Sequence, residues 1–281
     1  MTPASGALDA ADTTALPRPA AAAQAAAPSP YGRVHAVPVA GAAVARGNPL
    51  AEALFRAFEI VVALLGLSVG LPVMLAEALV IRLDSPGPAL FFQKRVARSA
   101  MLRGRELAGR GDLIAPPDGF EADALYYVPR HFGFVKFRTM YHDARQRFPE
   151  RYAYKLDPVT FRARHFKEED DPRITRVGRT LRRLTVDELP NFWCVLVGDM
   201  RLVGPRPELP EIPPYYSADE MYKFACKPGI TGLAQIHGRG LLSWGETLAW
   251  DLTYVRTRTV GLDLKIIFLT LWYVIARRGA F

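Results

Sequence analysis

"AFEIVVALLGLSVGLPVMLAEALVIRLDSPGP", residues 57–88, is the stretch whose reading decides the fold. From Ile60 to Ala76 it carries no charge, and Glu59 and Glu77 mark its borders. As a helix the uncharged run covers about 26 Å at 1.5 Å per residue, slightly short of a hydrocarbon core of roughly 30 Å. Pro72 lies inside it, with Gly66 and Gly70 nearby. Proline removes one helical hydrogen bond and clashes with the preceding turn, so a kink is expected near Val69 to Leu71. Arg56 precedes the run, and Arg82, Lys94 and Arg95 follow it. Basic flanks on both sides suit a segment whose two ends share the cytoplasmic face. The expectation is a re-entrant helix–break–helix over residues 49–83, broken at Pro72. A buried core helix and an ordinary single span are the alternatives, because proline is tolerated in true spans as well.

The whole chain fits a membrane-surface protein. It has 281 residues, half of them hydrophobic, a formal net charge of +8 and a pI near 9.6. That basic surplus favours an anionic partner: nucleic acid, an anionic lipid surface or a phosphorylated substrate. Cys194 and Cys226 have no C-x-x-C spacing, which points away from a disulfide framework or zinc site and towards a reducing compartment. No secretory signal is visible. Residues 1–48, rich in Ala, Pro and Gly ("ALPRPAAAAQAAAPSP"), read as a disordered tail.

Beyond the turn "DSPGP", "ALFFQKRVAR" reads as a short strand and "HFGFVKFRTM" as another. Between them, residues of about 99–129 read as a polar surface insertion. The charged run after Met140 is expected to be helical in pieces. Ile174, Val177, Leu181 and Leu184 recur at helical spacing with arginines on the other face. "PNFWCVLVG" reads as a short helix, with Pro190 at its first position and Gly198 just past its end. At the C-terminus, Ile266 to Ala276 is uncharged but too short to span; Lys265, Arg277 and Arg278 flank it. It suits an interfacial helix, with a buried core helix as the alternative.

The chemistry centres on "RRLTVDELPNFW", residues 182–193, where Asp187 and Glu188 follow two arginines and precede a proline. Thr185 to Glu188 matches a capping box. Against that, Pro190 would then fall at the fifth helical position, where its ring clashes with an earlier carbonyl. On spacing alone, capping and catalysis stay level. Arg179, Arg182 and Arg183 lie upstream; Arg201 and Arg206 lie downstream, the last in the stiff "GPRP" loop. A guanidinium held that way suits bidentate phosphate contact. Lys136 and Arg138 share one face of the strand "KFRTM". "KPGITGLAQIHGRG", residues 227–240, is a glycine-rich loop whose amides could approach an anion; it contains Gln235, His237 and Arg239. For His237 a local hydrogen bond is the expected role. Carboxylates among arginines suit Mg²⁺, which binds through one or two carboxylates plus substrate phosphates. An aspartate can also be the nucleophile of a covalent phosphoryl transfer.

Taken in order, "SPGPALFFQKRV", "FVKFRTM", "DPRITRVGRTLRRLTVDELPNFWCVLVGDMRLVGPRPE", "KPGITGLAQIHGRG" and "DLTYVRTRTVGLDLKIIFLTLWYVI" resemble the bacterial sugar transferases. These are monotopic polyprenyl-phosphate phosphoglycosyl transferases that initiate glycan assembly, and the resemblance covers roughly residues 50–281. It implies an α+β, mostly helical fold: a re-entrant membrane helix broken at Pro72, then a compact cytoplasmic catalytic domain over 84–281 with amphipathic interfacial helices. It implies Asp187 as the nucleophile on a UDP-sugar and as the ligand of Mg²⁺, with Glu188 assisting as base or metal ligand. UMP leaves, and polyprenyl (undecaprenyl) phosphate then accepts the phosphosugar. Lys136, Arg138, Arg182, Arg206, Gln235 and Arg239 become the implied substrate and phosphate contacts. The implied setting is the cytoplasmic face of the bacterial inner membrane. Inner-membrane lipid, a homo-oligomer and downstream glycosyltransferases are partners it allows, and nucleic acid is not among them. The sequence departs from the family pattern in having Leu71 where a serine commonly precedes the break proline, with Ser68 further back. Lys227, Leu233 and His237 replace Arg, Trp and Asn in the "RPGITGWAQVNGR" pattern. The multi-span domain of the long forms has no counterpart, so a short form is expected.

Two other classes compete: a basic peripheral protein that binds anionic lipid or nucleic acid, and an inactive partner subunit on the same scaffold. The first lacks base-stacking aromatics among its basic residues, and the intact acid pair opposes the second.

Overall fold

A computed structural model describes residues 33–39, 48–152, 157–165, 170–238 and 241–276. Helices predominate over small sheets, so the architecture is α+β. Two short strands, β1 (Val34–His35) and β2 (Val37–Pro38), precede the long helix α1 (Pro49–Asp84). Asn48 caps α1 by accepting the Leu50 N–H, and Pro49 occupies the first turn, where its missing N–H is no loss. At 36 residues α1 is about 54 Å long.

α1 stays helical through Pro72. The expected helix–break–helix is therefore corrected to one helix with a proline inside it. One lost bond is a local cost, and packing along the helix on both sides of the proline offsets it. Phe55, Glu59, Ala63, Glu77 and Ile81 are buried on one side of α1. Gly66 and Gly70 fall in the same three-and-four-residue stripe, opposite Phe192 and Leu189. A β-carbon on Gly66 would lie 2.9 Å from the Phe192 ring, so the glycine permits the close approach. The other sides expose Leu54, Val61, Leu65, Val69, Leu75 and Leu83. Among the described residues, α1 alone is long and apolar enough to cross a membrane.

Polar contacts fasten both ends of α1 to the same body. Near its start, Arg201 pairs with Glu52 at 3.0 Å and with the fully buried Glu59 at 3.1 Å. Leu202 donates its N–H to Glu59, and Arg258 bridges Glu52 and Asp263. At its end, buried Arg138 donates to the carbonyls of Pro86 (2.6 Å), Ser85 (2.8 Å) and Ile81 (3.4 Å). The Ser85 and Pro86 carbonyls follow the end of α1, and the Ile81 carbonyl also accepts the Ser85 N–H.

β3 (Leu90–Arg103) and β5 (Leu125–Phe137) form a long antiparallel hairpin, paired from Leu90 opposite Phe137 to Arg103 opposite Leu125 with a one-residue register shift between Val96 and Arg98. Residues 99–129, expected to be a surface insertion, form the outer half of that hairpin and its tip. The tip carries α2 (Gly104–Leu107) and β4 (Leu113–Ile114). β1 pairs with β4 and β2 with β5, burying Ala36 and Val37. Within the stretch expected to be a disordered tail, residues 33–39 are therefore ordered; 1–32 and 40–47 lie outside the described residues. "RVHAVPV" differs from the alanine tracts in its β-branched side chains, which suit a half-buried strand.

The charged middle holds α3 (Ala144–Arg147) and α4 (Pro158–Ala163), short pieces as expected, followed by α5 (Arg176–Leu184) and α6 (Asn191–Leu196). α5 buries Leu181 but exposes Leu184 at its end. β6 (Arg201–Val203) and β7 (Gly229–Thr231) pair in parallel, and α7 (Leu233–Gly238), α8 (Trp244–Thr257) and α9 (Val260–Ile275) complete the body. The main core joins Ala63 of α1 to Phe134, Val195, Leu202, Tyr254 and Ile266. α9 buries Asp263 and Ile266 while exposing Leu264, Phe268, Leu271 and Trp272. It has the two faces of an interfacial helix; Arg277 and Arg278 lie outside the described residues.

Candidate active site

Local backbone bonding places the acid pair. Thr185 takes the left-handed conformation (φ 59°) as the C-cap of α5, its N–H bonded to the Arg182 and Leu181 carbonyls. It closes one helix and does not open the next, so the capping-box reading fails. The chain then turns: Leu189 N–H donates to the Val186 carbonyl and Asn191 N–H to the Glu188 carbonyl. Phe137 N–H, at the end of β5, donates to the Asp187 carbonyl at 2.9 Å. α6 starts one residue after Pro190, and Gly198 (φ 85°) follows its C-cap Val197.

Asp187 is 6 % exposed. Burial pushes its carboxyl up and the neighbouring Glu188 adds to that, against Lys136, Arg182 and Arg206. Burial, with repulsion from Arg182 and Arg95, pulls the Lys136 ammonium down to about 8, opposed by Asp187 and Glu188. Arg182 donates its Nε–H to the Thr139 hydroxyl at 2.8 Å, which orients the guanidinium, and the charges of Asp187, Asp171 and Arg206 act on it. A guanidinium nitrogen of Arg206 lies 3.5 Å from a Glu188 carboxylate oxygen, with half of each side chain or less in solvent. Lys136, Arg182, Asp187, Glu188 and Arg206 thus gather from β5, α5, the turn before α6 and the loop after β6.

Other expected contacts lie elsewhere. Arg138 is committed to the end of α1, so the shared strand face with Lys136 does not make a shared site. Period two fixes the side of a strand but not what packs there. Arg201 is held by Glu52 and Glu59. Gln235 sits in α7, with neither amide atom hydrogen-bonded among the described residues. Arg239 lies outside the described residues. The glycines of residues 227–232 serve packing: a β-carbon on Gly229 would lie 2.0 Å from the Gly204 nitrogen, and one on Gly204 would lie 2.4 Å from the Lys227 carbonyl. They let this loop close on the loop that carries Arg206. His237 makes a local bond to the Leu233 carbonyl at 2.8 Å and stacks on Trp250.

Two polar groups beside the pair were not singled out from the sequence. Glu77, on the inner stripe of α1, is buried with neither carboxylate oxygen hydrogen-bonded among the described residues, and the charge of Asp187 acts on it. Its position as the acid ending the apolar run was the available signal. Asn191 lines a cleft with Arg95, Phe134, Glu188, Met200 and Arg206.

Among the described residues no three His, Cys, Asp or Glu side chains cluster as a metal site. Two adjacent carboxylates next to cationic side chains instead fit Mg²⁺ shared with a bound phosphate, because that ion needs few protein ligands. The arrangement as a whole, one buried acid facing three cations with an open edge at Arg206, suits attack on a phosphate whose charge the cations offset.

Residues 50–103 and 123–277 match the family model described as "Bacterial sugar transferase". The gap between the two blocks coincides with the hairpin tip. The chain is 37 % identical over 237 residues to an undecaprenyl-phosphate glucose phosphotransferase of Komagataeibacter xylinus, covering 80 % of this chain and 36 % of that protein. To an undecaprenyl-phosphate galactose phosphotransferase of Salmonella typhimurium it is 33 % identical over 231 residues, 81 % of this chain and 42 % of that protein. To a UDP-glucose:undecaprenyl-phosphate glucose-1-phosphate transferase of Caulobacter vibrioides it is 35 % identical over 225 residues, 76 % and 67 % respectively. Against the first two of these the match spans less than half of the relative's length.

Proposed function

The chain belongs to the bacterial sugar transferase family, and from that premise we propose that it transfers a sugar 1-phosphate from a UDP-sugar to polyprenyl phosphate at a membrane surface. The single observation that carries the reading is Asp187: a buried residue whose backbone carbonyl is held by the end of β5 and whose carboxyl feels the charges of Lys136, Arg182 and Arg206. A structural acid in that position would be consumed by a fixed ion pair. Asp187 has no salt bridge within 4.0 Å among the described residues, whereas Glu188 meets Arg206.

In the proposed reaction an ionised Asp187 oxygen attacks the sugar-bearing phosphorus. The bond to the bridging oxygen breaks, UMP leaves, and an acyl phosphate forms on Asp187. A phosphate oxygen of the polyprenyl acceptor then attacks the same phosphorus and frees the carboxylate. Lys136 and Arg182 offset charge on the phosphates from within the body, and Arg206 does so from the open edge. Asp187, with Glu188 beside it, would hold Mg²⁺, which would supply Lewis-acid stabilisation there.

Both ends of α1 are tied to the body that carries Asp187, which supports a re-entrant or surface-lying helix over a straight span. The exposed apolar sides of α1 and α9 would then enter the lipid of the inner membrane from its cytoplasmic face. The test is UMP release across a panel of UDP-sugars with polyprenyl phosphate, for the wild type and Asp187→Asn. Release by the wild type and none by the variant is expected. Full turnover by Asp187→Asn would sink the reading, and salt-sensitive nucleic-acid or lipid binding indifferent to Asp187 would favour the peripheral-binding class.

A further inference from the structure

Several buried charged groups in this protein are paired. Glu59 meets Arg201, Lys223 meets Glu208 and Asp251, and Asp263 meets Tyr254 and Arg258. Asn191, like Glu77 and Gln235, is not paired, and it stands beside the acid pair. It is 1 % exposed, and neither its amide oxygen nor its amide nitrogen has a hydrogen-bond partner among the described residues. A carboxamide offers two donors and an acceptor, and a buried one is expected to use them.

Its place is fixed twice over. Asn191 is the first residue of α6, and its own N–H is bonded to the Glu188 carbonyl at 2.9 Å. Its side chain lines the cleft that Glu188 and Arg206 also line, with Phe134, Met200 and Ile230 as apolar walls. The acids and arginines account for phosphate and metal. An uncharged amide adds nothing to charge neutralisation, but in a cleft lined in part by apolar side chains it discriminates by hydrogen-bond pattern.

We infer that the Asn191 carboxamide is a specificity-determining group that pairs with a neutral edge of the donor bearing one acceptor and one donor side by side. The inference rests on the UDP-sugar reading above. Two parts of a UDP-sugar present such an edge: neighbouring hydroxyls of the sugar, and the imide N–H and carbonyl of the uracil ring.

The test compares the full-length wild type, reconstituted in lipid, with Asn191→Leu, an apolar replacement of similar size. UMP release is measured with UDP-sugars, with their deoxy analogues lacking one hydroxyl each, and with the corresponding CDP-sugar. The wild type is expected to discriminate, and Asn191→Leu to lose at least tenfold in kcat/KM on the preferred donor while losing little on the analogue lacking the paired group. Collapse of selectivity among deoxy sugars assigns the sugar; collapse of UDP over CDP selectivity assigns the base. Unchanged selectivity in both arms overturns the inference while leaving the transferase reading intact. A wild type that neither binds UMP nor releases it from any donor overturns both. If Asn191→Leu does not fold, Asn191→Ser, acceptable at a helix start, is expected to show the same selectivity change.

Discussion

At the residue scale, Lys136 is the most sensitive group in the site. Its ammonium is held down to about 8 by burial and by Arg182 and Arg95. A lysine that meets phosphate as a cation loses that role as pH rises through its folded value. The alkaline limb of kcat/KM, which reports the free enzyme, is therefore expected to fall above about pH 8, and Lys136→Arg is expected to move it upward. The same shift acts on stability with the opposite sense. Between about 8 and the ordinary lysine value the unfolded chain binds more protons than the folded one, so this group's contribution to stability rises with pH across that window. A pH–rate profile unmoved by Lys136→Arg would remove Lys136 from the site. Asp187 and Glu188 stood out as two acids beside arginines and a proline, but spacing left capping and catalysis level, and the family resemblance is what pointed to chemistry. Arg138 was misread because alternation along a strand predicts side, and only tertiary contact shows that α1 ends against it.

At the element scale, the anchoring of α1 is the feature to perturb. Arg138 holds the Ser85 and Pro86 carbonyls just past α1, so Arg138→Ala is expected to lower the unfolding temperature while leaving KM for the UDP-sugar unchanged; a raised KM at wild-type stability would restore the phosphate reading. At the other end, Glu59→Ala leaves the Leu202 N–H without its acceptor and Arg201 with Glu52 alone. Breaking a buried pair of this kind costs about 3–5 kcal/mol, readable as a lowered denaturation midpoint in detergent. Gly178 of α5 makes a third case. A β-carbon there would lie 2.0 Å from the Thr139 carbonyl, next to the hydroxyl that orients Arg182, so Gly178→Ala is expected to destabilise the fold and weaken donor binding together. The hydrophobic run, both strands and the helix after Pro190 were readable from period and punctuation. The pairing of residues 33–39 with the hairpin was not, because nothing in a two-residue strand announces a partner some 80 or 90 positions away.

At the scale of the whole molecule, topology decides how acceptor and donor meet. With both ends of α1 fastened to one body, a straight crossing would have to draw one of those ends away from it. Cysteines introduced at Leu50 and Asp84 are expected to react with an impermeant thiol reagent from the same, cytoplasmic, side; labelling from opposite sides would refute the re-entrant or surface-lying arrangement. The ordered blocks made the family legible. The hairpin tip and the short strands β1, β2 and β4 lie outside the matched blocks, so only the structure relates them. The most direct test of the central claim is the mass of the intact protein after exposure to a UDP-sugar alone, without acceptor. The account predicts a gain of one sugar phosphate on wild type, mapped to Asp187, discharged by polyprenyl phosphate and absent from Asp187→Asn. No adduct on a wild type that turns over, or the same adduct on Asp187→Asn, would contradict it.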